Sequence, residues 1–245
     1  MSTAYIVDYL RSPFTPAYRG ALAGTRPDDL VAGVIKALVD RSGVDPAEIE
    51  DVNLGCAFPE GEQGLNIARC AALIAGLPQS VGGSTVNRWC GSSMQAIQMA
   101  AGAIAMGAGD VFVAGGVENM SRVPMMGFNP MPNPGWSDVQ RLAFLNMGLT
   151  AENLADRYSL SREEQDAYSL ESQKKALAAR ADGRLAAEIA PVGDVTADGC
   201  PRETDAAKLA GLKTAFKAGG SVTAGNSSPL TDGASATLIC SEAFV

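Results

Sequence analysis

The spacing of apolar and polar positions divides the chain into short strands and helices that follow one another. Residues 3–9 predict a strand, and Pro27, followed by two acids, marks the start of a helix. One face of this helix is apolar, which places it against a core; its positions are 30, 31, 34, 35, 38 and 39. Residues 52–57 then predict a short strand, and residues 65–77 predict a helix rich in alanine.

The middle of the chain holds a long uncharged run, from Gly91 to Gly109. Within it, residues 92–106 predict a helix that is apolar on all sides, so we expect it to be covered on every side. The run is about as long as a membrane span, but its serines, glutamines and glycines favour a buried helix in a soluble protein. Residues 110–116 form a near-continuous apolar strand, typical of a sheet covered on both faces. This alternation predicts a layered α/β domain.

The pattern changes at residue 118. Residues 118–148 contain five of the nine methionines and four prolines with little periodicity, which is typical of a functional loop or an insertion. Helical patterns return at residues 150–158 and again after Ser161, where Ser161-Arg-Glu-Glu forms a capping box for a helix that extends to about residue 181.

The last part of the chain is polar and loop-rich over residues 182–221, and residues 234–241 predict a strand that rejoins the first sheet. We therefore expect an α/β domain formed by residues 1–117 and 222–245. Residues 118–221 would form an inserted, mainly helical loop subdomain.

Composition narrows the functional classes. With 47% hydrophobic and 19% charged residues, the chain is a folded globular protein rather than a disordered one. Its net charge of −8 argues against nucleic acid or an anionic membrane as a partner. The five cysteines lack metal-ligand spacing and there is no histidine, so we expect no metal site. Free thiols and the absence of a secretory pattern at the start predict a cytoplasmic protein.

Cys90 is the candidate nucleophile. It lies between a strand and the uncharged helix, where free backbone N–H groups and the positive end of the helix dipole should lower the pKa of its thiol. Gly91 would let a substrate approach closely, and the Cys90 N–H could stabilise the oxyanion formed when a thiolate attacks a thioester. The alternative is that Cys90 is buried core filler, as most lone cysteines in apolar proteins are.

Five blocks in order carry a family resemblance. Cys90 lies in Val86-Asn-Arg-Trp-Cys-Gly-Ser-Ser-Met-Gln-Ala-Ile, and the chain continues with Gly115-Gly-Val-Glu-Asn-Met-Ser-Arg-Val-Pro-Met, Met147-Gly-Leu-Thr-Ala-Glu-Asn, Ser161-Arg-Glu-Glu-Gln-Asp and Val222-Thr-Ala-Gly-Asn-Ser-Ser-Pro-Leu-Thr-Asp-Gly-Ala-Ser. The first block resembles the acyl-enzyme cysteine motif of the thiolases, and the others are similar to their second N-terminal signature, loop domain and domain-closing segment. The last block resembles 3-ketoacyl-CoA thiolases more than acetoacetyl-CoA thiolases.

The resemblance implies a thiolase-like layered α-β-α domain and ping-pong acyl transfer. Cys90 would take an acyl group from an acyl-CoA or a 3-ketoacyl-CoA, and a second thiol or a carbanion would accept it. Coenzyme A would be a substrate, and no cofactor is implied. The direction, thiolysis or Claisen condensation, and the length of the acyl chain stay open.

The resemblance also implies a set of residues that bind CoA or the acyl group. Ser228 would hydrogen-bond the pantetheine arm, and Ala224 and Phe216 would line the same groove. Met147 would border the acyl pocket, and Arg202 would meet the adenosine-phosphate end. Residues 202–217 contain four basic and two acidic side chains, a local charge of +2 that suits an anionic ligand; the alternative is an ordinary solvated helix face.

Other residues receive structural assignments. We expect Glu118 and Asn119 to set the exit from a strand without a catalytic role, and Asp232-Gly233 to form a turn. Four further cysteines are expected to be structural, at positions 56, 70, 200 and 240.

The sequence departs from the family pattern in one respect. Thiolases place a histidine, an asparagine and a second cysteine in Gly-His-Pro, Asn-x-Asn-Gly-Gly and Cys-x-Gly-Gly motifs of the C-terminal half, and none of these motifs occurs here. We therefore expect that the C-terminal thiolase domain is absent and that this chain alone turns over negligibly. It would be a fragment or one subunit of a split enzyme. Its exposed apolar face predicts a homo-oligomer (dimer or tetramer) or a C-terminal half as partner.

Three functions compete at this stage. The first is an acyltransferase half-enzyme in which Cys90 is acylated. The second is a non-catalytic module that retains the fold only for CoA binding or assembly. The third, a 3-ketoacyl synthase, uses a similar cysteine-bearing fold, but the Gly-Gly-Val-Glu-Asn-Met-Ser and Asn-Ser-Ser-Pro blocks disfavour it.

Overall fold

A computed structural model describes residues 2–245, which divide into two compact units. The described part of the first comprises residues 2–129, Ala186–Gly199 and Leu230–Val245, and the second comprises Pro130–Leu185 and Cys200–Pro229. This division differs from the predicted boundaries after residue 117 and before residue 222. The first unit extends further along the chain, and it also includes one segment, Ala186–Gly199, from the middle of the expected insertion.

The first unit is built on one mixed sheet of six strands: β1 (Ala4–Arg11), β2 (Thr15–Pro16), β3 (Asp51–Gly55), β4 (Gly82–Val86), β5 (Val111–Asn119) and β6 (Thr231–Ser241). Their order is β1-β6-β5-β3-β4, and β2 pairs with the first two residues of β6, Thr231 and Asp232. Strands β3, β4 and β5 are parallel, and β6 runs antiparallel to both β5 and β1. The final strand thus lies inside the sheet and joins the first strand to the rest.

Helices cover both faces of this sheet, which confirms the predicted layered α/β class. Helices α1 (Pro27–Ser42) and α2 (Ile67–Ile74) lie on one face, and α3 (Ser92–Ala105) lies on the other. Side chains of β5 alternate between the two layers, as the period of a strand requires. Val111 and Val113 pack with the α1 and α2 core, whereas Phe112 and Ala114 pack against α3.

The expectation that α3 is covered on every side is wrong for this chain. Its buried positions recur every four residues on one face; they are Ser92, Ala96, Ala100 and Ile104. On the rest of the helix, Met94 is 66% exposed and, just beyond the C-terminus, Met106 is 81% exposed. An uncharged composition allows a helix to be buried on all sides, but it does not show which other elements would pack against each side. Within residues 2–245, no helix is long and apolar enough to cross a membrane.

Two glycines let the first turn of α3 lie directly on the sheet. Gly55 and Gly116 are neighbours in register on β3 and β5. A Cβ on Gly55 would overlap the backbone of Ser92 and Ser93, and a Cβ on Gly116 would overlap the Ser93 hydroxyl. Only glycine leaves room for this approach, so the two strands fix where α3 begins.

The segment Ala186–Gly199 returns to the first unit along the outer edge of β1. The Ala190 N–H donates to the Arg11 carbonyl at 2.8 Å. The Arg11 guanidinium binds both carboxylate oxygens of Asp198, at 2.7 and 2.8 Å, and Glu188 at 2.9 Å. Bidentate pairs of this kind are strong and directional. They explain why a polar, loop-like stretch packs with the sheet instead of with the helices around it in sequence.

The second unit is mainly helical, as predicted. It contains α4 (Asp138–Arg141), α5 (Met147–Tyr158), α6 (Arg162–Ala181) and α7 (Ala206–Ala210). The predicted capping box is present, because the Ser161 hydroxyl accepts from the Glu164 N–H at 3.1 Å and the Glu164 carboxylate accepts from the Ser161 N–H at 2.8 Å. Helices α4 and α7 lie in stretches that we expected to be loops, and each is only one turn long.

A buried carboxylate organises the polar end of this unit. Glu152 of α5 is 1% exposed and accepts the backbone N–H groups of Ser221 and Val222, each at 2.9 Å at the closer oxygen. Burial alone would raise the pKa of Glu152, but these donors outweigh it and lower the pKa below its ordinary value of 4.5.

We predict that Gly55→Ala destabilises the first unit by about 1–3 kcal/mol, because the new methyl must displace backbone atoms of α3. Urea unfolding followed by circular dichroism measures this change. Gly102→Ala in the same helix is the matched control: its Cβ would meet nothing within 4 Å, so it should stabilise by about 0.5–1 kcal/mol. Equal effects of the two substitutions would contradict the close packing over Gly55.

We predict that Glu152→Gln lowers the unfolding free energy by about 1–3 kcal/mol at neutral pH, because an amide nitrogen would face the donors of Ser221 and Val222. Since folding lowers the pKa of Glu152, its contribution is present above the unfolded value of 4.5 and is lost as the pH falls through the folded value. The difference between the variant and the parent should therefore shrink in acid. Glu171→Gln, on the exposed surface of α6, is the matched control and should change the unfolding free energy at neutral pH by less than about 0.5 kcal/mol.

Candidate active site

Cys90 lies in the short turn that leads from β4 into α3. Strand β4 ends at Val86, Gly91 is the N-cap of α3, and the helix begins at Ser92. The Cys90 side chain is exposed. The thiol is therefore reachable and sits at the start of a helix of 14 residues, and the alternative of a cysteine buried in the core does not apply.

Hydrogen bonds within the turn fix its shape. The Ser92 hydroxyl accepts the Arg88 N–H at 2.8 Å and donates to the Trp89 carbonyl at 2.5 Å. The N–H groups of Gly91 and Ser92 donate to the carbonyls of Arg88 and Trp89, at 3.0 and 3.1 Å. These two donors are used inside the turn, and the oxyanion role that we expected for the Cys90 N–H stays a prediction.

The remaining cysteines differ from Cys90 in their surroundings. Burial, together with the nearby charge of Glu118, raises the pKa of Cys56 to about 12, and burial raises the pKa of Cys240. Cys70 and Cys200 are partly buried. Within residues 2–245, the Cys, Asp and Glu side chains do not form a cluster of three or more that could hold a metal ion.

Glu118 and Asn119 lie at the end of β5 and bind neighbouring loops, as their structural assignment requires. Asn119 is fully buried, and its amide donates to the carbonyls of Leu22 and Thr25, at 3.2 and 2.9 Å. Glu118 accepts the Ala57 N–H and the Gln63 side-chain amide, both at 2.7 Å. Burial raises the pKa of Glu118, although these hydrogen bonds oppose it.

The assignment of Asp232-Gly233 as a turn is wrong. Both residues belong to β6, where Asp232 pairs with Asn119 of β5. The buried Asp232 carboxylate accepts the N–H of Ser121 at 3.0 Å and its hydroxyl at 2.5 Å. An Asp-Gly pair predicts a turn only when no partner satisfies the carboxylate elsewhere, and here Ser121 does so.

The five residues predicted to bind CoA or the acyl group all lie in the second unit and are all exposed; they are Met147, Arg202, Phe216, Ala224 and Ser228. Two contacts group four of them into pairs, one directly and one through a neighbouring residue. Arg202 donates to the Ala224 carbonyl at 3.3 Å. The Phe216 ring packs on Gly148, next to Met147, so closely that a Cβ on Gly148 would overlap it.

The two pairs are linked through the backbone. The Ala215 N–H donates to the Val222 carbonyl at 2.9 Å, and Thr214 forms a bridge with Thr223. Two adjacent antiparallel segments thus pair here; Phe216 follows the first segment in the chain, and Ala224 follows the second. Ser228 lies farther along the second of these, between Thr223 and β6.

The basic stretch of residues 202–217 is partly neutralised by acids. Lys217 binds Asp156 at 2.7 Å, which raises the pKa of Lys217, and Lys208 lies 3.2 Å from Asp205. Arg202 instead uses its guanidinium on a backbone carbonyl. Asp205 is already counted in the local charge of +2, so of these two ion pairs only that of Lys217 with Asp156, which lies outside the stretch, weakens the charge in space.

Sequence reasoning missed two features of the Cys90 turn. One is the glycine pair, Gly55 and Gly116, on which α3 rests. The other is Trp89, which has a positive φ of 49° and so a backbone conformation that non-glycine residues rarely adopt. The glycines carried a usable signal, since each stands in an apolar strand, where glycine marks a close approach. The sequence contains no signal that predicts the positive φ of Trp89.

We predict that iodoacetamide labels Cys90 well before Cys56 and Cys240 in the native chain at neutral pH. A thiol with a pKa of about 12 has a thiolate fraction on the order of 10⁻⁵ at pH 7. Peptide mapping by mass spectrometry measures the order of labelling. In urea all five cysteines should react at similar rates, and native labelling of Cys56 at the rate of Cys90 would contradict the described burial.

Comparisons with known proteins agree with this geometry. The family model described as "Thiolase, N-terminal domain" matches residues 4–243. The 3-ketoacyl-CoA thiolase of Bacillus subtilis is 42% identical over 98% of this chain and 66% of its own length, and the beta-ketoadipyl-CoA thiolase of Escherichia coli is 44% identical over 99% and 67%.

A solved structure agrees as well. The crystal structure of the Bacillus anthracis acetyl-CoA acetyltransferase superposes on this chain with a TM-score of 0.88 at 38% identity, covering 100% of this chain and 66% of that one. The chain thus spans about two thirds of the length of the relatives that it matches. It belongs to the thiolase family and corresponds to the N-terminal domain of that family.

Proposed function

We propose that this chain supplies the nucleophile of a thiolase and that Cys90 carries the acyl group between CoA thioesters. The observation that carries the proposal is the position of Cys90: an exposed thiol at the start of α3, inside the motif that resembles the family's acyl-enzyme cysteine. The positive end of the helix favours negative charge on the reacting atoms there.

The proposed step is a thioester exchange. The Cys90 sulfur, after losing its proton, attacks the thioester carbonyl, and the carbonyl carbon becomes tetrahedral with a negative oxygen. The bond to the CoA sulfur then breaks, the acyl group stays on Cys90, and the leaving CoA thiolate takes up a proton. A second thiol, or a carbanion from another acyl-CoA, takes the acyl group from Cys90 and restores the thiol.

The substrate class follows from the family and not from a pocket. The relatives named above are described as acting on 3-ketoacyl-CoA, beta-ketoadipyl-CoA and acetyl-CoA, which share the CoA thioester and differ in the acyl group. We propose that the CoA-binding residues are Ser228, Ala224, Phe216 and Arg202, with Met147 at the acyl group. Their exposure, and the pairing of Arg202 with Ala224 and of Phe216 with the start of α5, support this assignment.

We propose that the chain alone does not turn over. It contains no histidine, and general acid–base assistance contributes about 10²–10⁴-fold in enzymes. The exposed face of α3 is the surface that we expect a C-terminal thiolase half, or a second copy of the chain, to cover. A cytoplasmic location stays a prediction.

We predict that the chain gains the mass of one acetyl group when it is incubated with acetyl-CoA and that Cys90→Ser abolishes this gain. Intact-mass spectrometry measures it, and free CoA released in steady state measures turnover. Cys70→Ser, which removes a partly buried cysteine, is the matched control and should be acylated like the parent. Adding a C-terminal half of a related thiolase should speed acylation and start turnover.

Two outcomes would contradict the proposal. Acylation that persists in Cys90→Ser would assign the reaction to another nucleophile. No adduct, even after a C-terminal half is added, would favour the alternative that the chain is a non-catalytic module for CoA binding or assembly.

A further inference from the structure

The residue before Cys90 is held in a strained conformation. Trp89 has a φ of 49°, a left-handed backbone conformation that bulky residues rarely adopt. Such a conformation persists only where several contacts enforce it. Contacts of this kind include the hydrogen bond from the Trp89 N–H to the Asn87 side chain at 3.0 Å, the hydrogen bond from Ser92 to the Trp89 carbonyl, and the packing of the Trp89 ring against Phe58.

Two of these contacts lead to the loop that follows β3. The Asn87 side chain, which accepts the Trp89 N–H through its oxygen, donates its amide to the Ala57 carbonyl at 2.9 Å. The rings of Phe58 and Trp89 meet edge to face, with centroids 5.6 Å apart and an angle of 66° between planes. The position of the turn that carries Cys90 therefore depends on the positions of Ala57 and Phe58.

That loop is in turn held by one buried carboxylate. Glu118 accepts the Ala57 N–H and the Gln63 amide, each at 2.7 Å, and the Cys56 thiol at 4.0 Å. The same Gln63 amide also donates to the Phe58 carbonyl at 2.8 Å. Three donors thus converge on Glu118, and a carboxylate is the side chain that offers only acceptors to them.

We propose that Glu118 is a positioning residue for Cys90, acting through Ala57 and Asn87 on the turn that contains Trp89. It touches neither the thiol nor the thioester. Its charge is costly in a buried place and serves to fix the loop next to the nucleophile. This inference rests on the proposed function, because positioning matters only if Cys90 attacks a thioester along a defined direction.

The experiment compares two reactions of the same thiol. Acylation by acetyl-CoA needs the sulfur and the oxyanion donor in one geometry, whereas alkylation by iodoacetamide needs only a reachable thiolate. We expect Glu118→Gln and Asn87→Ala to slow acylation by about 10²-fold, the effect of a displacement of about 1 Å. Alkylation should stay within about 3-fold of the parent, with the same dependence on pH, because exposure and the helix terminus are unchanged.

Two further variants complete the set. Asn87→Asp keeps the acceptor for the Trp89 N–H but loses the donor to Ala57, so its acylation rate should fall between those of the parent and Asn87→Ala. Asn66→Gly is the matched control. Asn66 also has a positive φ, of 59°, and its side chain ties β4 through Gly83 and Thr85 without contacting the Cys90 turn. Its acylation rate should equal that of the parent.

The outcomes separate the two proposals. A parent that is not acylated, with or without a C-terminal half, overturns the proposed function and this inference with it. A parent that is acylated, with Glu118→Gln and Asn87→Ala acylated at the same rate, overturns this inference alone. It is also overturned if both variants lose acylation and alkylation in equal measure, because general loosening of the turn would then explain the change. Since Asn87 is exposed, its variants keep the test available if Glu118→Gln does not fold.

Discussion

The contact between the first turn of α3 and the bare backbone of β3 and β5 is the constraint on which the candidate site depends. At Gly55 and Gly116 the sheet has no side chains, and the helix lies against it at the separation of two main chains. Because the helix cannot shift along this surface without a clash, its N-terminus is fixed relative to the strand ends. A nucleophile placed just before that terminus is fixed with it.

The residues around the turn also help to fix its position. Glu118 and Asn119 leave β5 on the edge where β3 and β4 also end, so three strands contribute to one rim of the sheet. Buried polar groups there hydrogen-bond to loops: Asn119 to Leu22 and Thr25, and Asp232 to Ser121. A fully satisfied polar network of this kind rigidifies a site, since each lost partner leaves a buried group unpaired.

Local signals allowed most of the elements to be predicted. Pro27 and the capping box at Ser161 gave helix starts that the structure confirms, because capping depends on neighbours in sequence. Asp232 shows the opposite case: its strand conformation depends on Ser121, 111 residues away. The same holds for Glu118, whose hydrogen-bond partners Ala57 and Gln63 lie 61 and 55 residues away in the sequence.

The same distinction between local and long-range contacts applies to the candidate site. The position of Cys90 before a helix could be predicted, because strand, turn and helix are consecutive in the chain. The relation of Trp89 to Phe58, and of Asn87 to Ala57, could not, since the two segments meet only after β3 and β4 have paired. In the second unit, the pairing of Arg202 with Ala224 and of Phe216 with the start of α5 also arises from folding alone.

The place of β6 in the sheet bears on how the chain is made. This strand is the last element of the chain, yet it lies between β1, the first, and β5. During synthesis β1 has no partner strand until residues 231–241, which form β6, have been made. Long-range pairing of this kind is slow and leaves apolar strand edges uncovered in the meantime. The nascent chain should therefore be exposed to incorrect strand pairing until β6 emerges.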